Sequence, residues 1–291
     1  MRSRPLIGLL AMFAVIGCTA RALPAQASPE DVNERAIAFD ALPGKPFAGG
    51  GAASTRPALI IVTDELERQL VLEPRLATHL SEPTTATVLA ALPLTDRLAI
   101  AAFAGPTATL GFGYAIRRIA TATAGNVVLT ADLARPSGDT VLPLVGHPYA
   151  LASVARRDLN LPVGAAIELR DGSGTRMART RWCGVLREGQ LDRNSAPRQC
   201  VLAAYAAGDD AQLVIQRVTT EGAPVVWTVR AIPGGLSEVS LDVRRDPLRA
   251  RDLDPVSSWA CTILDRGGDA DGRGSLRFSG CTGNGSEVAV P

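Results

Sequence analysis

One lysine, Lys45, stands among 30 basic side chains, and the chain has only two histidines, His79 and His147. Histidine is the side chain best suited to acid–base and metal work near neutral pH, so this scarcity weighs against a hydrolytic zinc centre. A net charge of +1 removes the electrostatic case for nucleic acid. Aromatic residues make up 4% of the chain, so the core has to be built from Val, Leu, Ile and Ala. The N-terminal apolar run, Leu6 to Gly17, falls well short of the roughly 20 residues a membrane-crossing helix needs. No nucleophile, base and acid stand together in a recognisable catalytic motif, and no cofactor-binding motif is present. The expectation is a protein without catalysis of its own and without a cofactor.

What the chain does have begins with a leader. Arg2 and Arg4 form a positive start, followed by the apolar run. That is the pattern of a signal peptide within residues 1–27, and it implies export. Two cleavage readings compete. Val15-Ile16-Gly17-Cys18 resembles a bacterial lipobox, with lipidation at Cys18 and an anchor at the outer membrane or cell surface. Ala25-Gln26-Ala27 fits ordinary signal peptidase, which would release a soluble periplasmic or secreted protein from Ser28.

Apart from Cys18, the chain holds four cysteines, Cys183, Cys200, Cys261 and Cys281. Export permits disulfides, and four cysteines allow three connectivities. Proximity favours Cys183–Cys200 and Cys261–Cys281, each contributing on the order of 3 kcal/mol if unstrained. A four-thiolate zinc site is the competing reading, but it needs closely paired cysteines, which are missing.

The fold class expected is mainly β. Residues 28–56, rich in Pro, Gly, Ala and Ser, read as a flexible tether. A first, α+β domain with a short helix is expected over 57–160. It would hold strands at Leu59–Val62, Arg97–Phe103, Tyr114–Ile119, Asn126–Leu133 and Tyr149–Ala155, with a helix starting at Thr63 or Asp64. A second domain over 161–291 shows apolar/polar alternation at Ile167–Arg170, Trp227–Arg230, Val239–Arg244 and Leu276–Ser279. It is expected to be an all-β sandwich or open barrel stapled by the two disulfides.

Three elements of the first domain resemble the PrcB C-terminal domain family, named for a lipoprotein subunit of a bacterial surface protease complex. They are the strand Leu98-Ala99-Ile100-Ala101-Ala102-Phe103, the stretch Gly105-Pro106-Thr107 leading to Gly111-Phe112-Gly113-Tyr114-Ala115-Ile116, and His147-Pro148-Tyr149-Ala150-Leu151. The family has Pro-Thr-Gly-Gly-Tyr-x-Ile at the second element. This chain inserts residues between Thr107 and Gly113 and carries Phe112 where the family has glycine. The resemblance covers about residues 59–160 and implies an exported accessory or binding domain. Its candidate partner-binding loop is Pro106, Thr107, Gly111, Phe112, Gly113 and Tyr114. The same loop carries a second expectation, that of a protease inhibitor, because its Pro-Thr…Gly-Tyr pattern is similar to that of chagasin-type inhibitors. From the residues alone, the glycines shape a turn and the tyrosine plugs a core edge.

Two acidic glycine-rich segments invite stronger readings than they carry. Asp171-Gly172-Ser173-Gly174-Thr175 has the wrong order for an aspartic protease and reads as a hairpin turn. Asp269-Ala270-Asp271-Gly272, with Asp265 nearby, resembles part of a calcium loop, but the bidentate glutamate such a loop needs is missing. Asn284-Gly285-Ser286 is a glycosylation sequon only in a eukaryotic pathway. The chain is therefore expected to bind a protein partner in the envelope, including a surface protease complex. It would touch membrane only through a lipid anchor, and an enzyme seated in the C-terminal half has no residue support.

Overall fold

The run Ala58-Leu59-Ile60-Ile61-Val62 is apolar on both sides, and as strand β3 (Ala58–Val62) every one of its residues is buried. It closes a four-stranded antiparallel sheet in the order β2 (Phe39–Leu42), β7 (Tyr149–Ala155), β4 (Arg97–Phe103), β3. The computed structural model describes residues 34–42, 56–76, 87, 89–108, 112–122, 125–135, 145–192, 194–249, 254–266 and 275–291. A second sheet has ten strands: β1 (Arg35–Ile37), β5 (Gly113–Thr121), β6 (Val127–Ala134), β8 (Ala165–Arg170), β9 (Arg176–Arg187), β10 (Asp210–Val218), β11 (Pro224–Ile232), β12 (Leu236–Asp242), β13 (Val256–Cys261) and β16 (Thr282–Gly283). Among the described residues, only β6–β8 and β9–β10 pair in parallel. The third sheet is β14 (Ile263–Arg266), β15 (Leu276–Ser279) and β17 (Glu287–Val290). The mainly β expectation is met.

The large sheet is covered on opposite faces in its two halves. In β5, β6 and β8, the inward side chains Tyr114, Ile116, Ile119, Leu129, Ile167 and Leu169 pack against Leu59, Ile61, Leu98 and Ile100 of the four-stranded sheet. In β10 to β13 the apolar face is the other one. There Leu213, Ile215, Val229, Val239 and Trp259 meet the helix α3 (Ala196–Ala207) and the Leu264, Leu276 and Phe278 side chains of the small sheet. The outer face of the four-stranded sheet buries Ile60, Ala101, Phe103 and Tyr149 against a helical run. That run comprises α1 (Glu65–Glu67), a π turn (Arg68–Leu72) and α2 (Glu73–Arg75).

Three sequence expectations need correction. The tether of residues 28–56 is not structureless throughout. β1 pairs with β5, and one residue later β2 pairs with β7, so Arg35–Leu42 joins both sheets, with Ile37 buried and Phe39 packed on the same core. The C-terminal half is not all β either. Ser195 precedes α3, Pro197 sits in its first turn, and Gly208 in the left-handed region (φ 69°) ends it. This helix connects β9 to β10, which is what a parallel pair requires. Finally, the sheet continues through the boundary placed at residue 160, since β6 pairs with β8, and residues Asp31–Pro291 form one compact unit.

Where the two large sheets meet, a side chain replaces a strand. The Gln212 amide on β10 accepts from Ile61 N–H at 3.4 Å and donates to Ile61 C=O at 3.2 Å, closing the free edge of β3. All four groups are buried, and an orphaned buried backbone group costs about 1–3 kcal/mol. Gln212→Leu is therefore expected to destabilise the protein by about 3 kcal/mol in urea unfolding. A loss within experimental error would mean that the β3 edge finds other partners.

The helical run is tied to the large sheet at its start. Asp64 caps it by accepting from Glu67 N–H at 2.9 Å. The same Asp64 carboxylate accepts from Gln216 Nε2 at 3.0 Å and from Arg187 Nη2 at 2.9 Å. Glu67 turns back to accept from Thr63 N–H at 2.6 Å and from its hydroxyl, a variant of the capping box displaced by one residue.

Candidate functional site

Period-2 alternation gives β11 and β12 one apolar and one polar face. The polar face carries Thr228, Arg230, Glu238, Ser240 and Asp242. The four-stranded sheet ends before reaching this face, and a cavity of about 460 Å³ remains over it. Leu70, Val71 and Arg75 of the helical run form one wall, and Val256, Ser258, Ala260 and Thr282 form the opposite side. Gly283 fits the rim because a Cβ there would lie 2.3 Å from the Ser258 carbonyl oxygen. Asn284 then holds the β13 edge, its side-chain oxygen accepting from Ser258 N–H at 2.8 Å.

Charge in this cavity is organised around Arg230, whose side chain is 4% exposed. Its Nη1 lies 3.3 Å from Glu238 Oε2, and its Nη2 lies 3.4 Å from Asp210 Oδ2. Arg75 Nη2 approaches the same Glu238 oxygen at 3.7 Å. Burial, and then the neighbouring Arg230 charge, lower the Arg75 guanidinium to about 10. Burial also raises the Asp210 carboxyl above its ordinary range, against the pull of Arg230 and Arg56. Asp242 is buried and held by Arg244 Nη2 at 2.7 Å. Each carboxylate in the lining is thus engaged by a guanidinium, and among the described residues neither histidine nor cysteine lines the cavity.

A second cavity of about 300 Å³ is lined by Arg176, Arg179, Asp209 and Asp210 among others. Arg56 lines both cavities and reaches Asp210 Oδ2 at 3.2 Å, so this ion pair is part of the partition between them.

The residues singled out from sequence lie elsewhere. Cys183 is bonded to Cys200 and Cys261 to Cys281, as proximity indicated. The first bond pins α3 onto β9, and the second joins the end of β13 to the turn between β15 and β16. Tyr114 is buried in the core between the sheets, its hydroxyl unpartnered among the described residues and its pKa raised by burial. Thr107 pairs with Gly146 through backbone hydrogen bonds at 2.7 and 3.1 Å. Pro106 and Gly113 are exposed and Phe112 is half-buried, while Gly111 lies outside the described residues. Tyr114 therefore shapes the core and is not displayed by a recognition loop.

Cys18, Asp269 and Asp271 also lie outside the described residues; Asp265 is exposed on β14. Among the described residues, no group of three or more His, Cys, Asp or Glu is placed to hold a metal ion. Among them, too, no helix is long and apolar enough to cross a membrane. Asp171 accepts from the backbone N–H groups of Ser173 and Thr175, the local bonding of the expected turn between β8 and β9.

Sequence reasoning passed over Arg75, Arg230 and Glu238. The signal available was the alternation Trp227-Thr228-Val229-Arg230, which puts Thr228 and Arg230 on one face without saying what covers it. Only packing of the helical run over that face reveals them as buried. The chain matches no family model, no curated protein and no solved structure, so the cavity's own chemistry is the basis for a functional reading.

Proposed function

We propose that this is an exported, non-catalytic binding protein that receives its partner in the cavity over β11–β13. The observation that carries this reading is the buried Arg230 guanidinium on a polar wall where every carboxylate is already engaged by arginine. Such a wall recognises and orients a ligand, because Glu238 and Asp242 are not poised to take a proton from Ser258 or Thr228. The two disulfides support an oxidising, extracytoplasmic setting. In that setting the accessory role implied by the PrcB-like pattern remains the natural form of the function, with the contact surface moved from the Pro106–Tyr114 stretch to the cavity.

A photo-crosslinking amino acid in place of Val256, at the 39%-exposed cavity rim, tests this in intact cells. A control placed at exposed Val145, beside Gly146, reports on the Thr107 end. A discrete adduct from position 256 alone is expected. Adducts from position 145 alone, or from neither position, overturn the proposal.

A further inference from the structure

The cavity's hydrogen-bonding groups narrow the chemistry of what it holds. We propose that it binds a ligand through one carboxylate group set between Arg75 and Arg230, with an apolar body lying against Leu70, Val71 and Val256. This rests on the binding reading above and specifies its ligand class.

Arg230 lines the cavity, and its Nε is buried with no hydrogen-bond partner among the described residues. Its two contacts to carboxylates, at 3.3 and 3.4 Å, are longer than the roughly 2.7–2.9 Å of a well-formed charged pair. One oxygen of Glu238 is shared between Arg230 and Arg75, so two guanidiniums draw on a single acceptor. Burial first, and the neighbouring Arg230 charge second, lower the Arg75 guanidinium. Two more unpartnered atoms stand nearby among the described residues: Asp210 Oδ1, of a residue lining the second cavity and not this one, and Trp259 Nε1, a donor on a residue that lines this one.

A planar carboxylate answers these needs, since guanidinium N–H groups match its two oxygens in geometry and charge. A phosphate dianion fits less well, because Glu238 and Asp242 stand on the same wall. Thr228 and Ser240 supply hydroxyls beside the charged pair, and the apolar wall accommodates an aliphatic group. About 460 Å³ lies within the range of small-ligand pockets. The ligand class is a short aliphatic carboxylate, either the end of a peptide chain or a free organic acid of that size.

Nuclear magnetic resonance of the arginine Nε–H signals in 15N-labelled protein tests this directly. Three probes are used: acetyl-Ala-Leu with a free carboxylate, the same dipeptide as its amide, and 4-methylpentanoate. The free dipeptide is expected to shift the Arg230 Nε–H signal saturably, with the amide at least tenfold weaker. Arg75→Gln is expected to weaken the acid at least tenfold, and Arg217→Gln, remote from the cavity, to leave it unchanged. Tight binding of 4-methylpentanoate assigns the site to free acids; its weakness beside the dipeptide assigns it to chain ends. Equal binding of acid and amide, or no shift with any probe at millimolar concentration, overturns the carboxylate proposal, and this comparison needs no substitution. An adduct at position 256 would still stand in that event, so the two proposals fail separately.

Discussion

Reducing both disulfides is expected to strip hydrogen-exchange protection from α3 and from β13 to β17, while β3, β4 and β7 keep theirs. The bonds bridge 17 and 20 residues of sequence, and loops of that size correspond to about 3 kcal/mol each. Both lie in the core between the large sheet, α3 and the small sheet, where Cys183 and Cys261 are fully buried. Among the described residues, the core between the two larger sheets contains no cysteine. It does contain Ile167, Leu169 and Trp182, so its cooperative unit reaches past residue 160 into β8 and β9. Uniform loss of protection along the chain would show that the two cores unfold as one.

The second large effect concerns pH. Glu67 is completely buried, and its carboxyl is pushed up to about 8 from an ordinary 4.5. Desolvation is the main cause and the Asp64 charge the next, opposed by the hydrogen bonds from Thr63 and by Arg187. The folded chain therefore keeps this proton where the unfolded chain has released it. The resulting stability is fully present below pH 4.5 and is lost as pH rises through about 8, with a slope of at most about 1.4 kcal/mol per pH unit. Glu67→Gln preserves the shape and the acceptor for Thr63 but carries no proton to lose. Urea unfolding from pH 5 to 9 should show a fall in wild-type stability that the variant lacks, leaving the variant the more stable protein at pH 9. A parallel fall in both would assign the dependence to other groups.

Sequence pattern was most informative where one physical factor dominated. Leu59–Val62, Arg97–Phe103 and Tyr149–Ala155 are apolar runs buried on both faces, and their strands match closely. Arg35–Leu42 was obscured because its apolar signal rests on three side chains amid alanine and charge, and Leu42 falls out of step with Ile37 and Phe39. For α3, the surrounding β signals outweighed the Pro197 and Gly208 end markers. The cavity was the least legible feature, because alternation says which residues share a face but not what will cover it. Thr228, Arg230 and Asp242 have the spacing of solvent-facing residues and are buried by a helical run more than 150 positions earlier.

The change of covered face along the large sheet sets where the chain tolerates insertions or deletions. β10 lies at the changeover, with Gln212 committed to β3 on one side and Leu213 to the disulfide-bearing core on the other. A one-residue insertion within Asp210–Val218 would exchange these assignments, sending an amide into the apolar core and a leucine to the β3 edge. By contrast, β5 already carries an irregularity between Ile116 and Arg118. Length variation among descendants of this chain should therefore gather in its loops and spare β10, whatever happens to the identities of its surface residues.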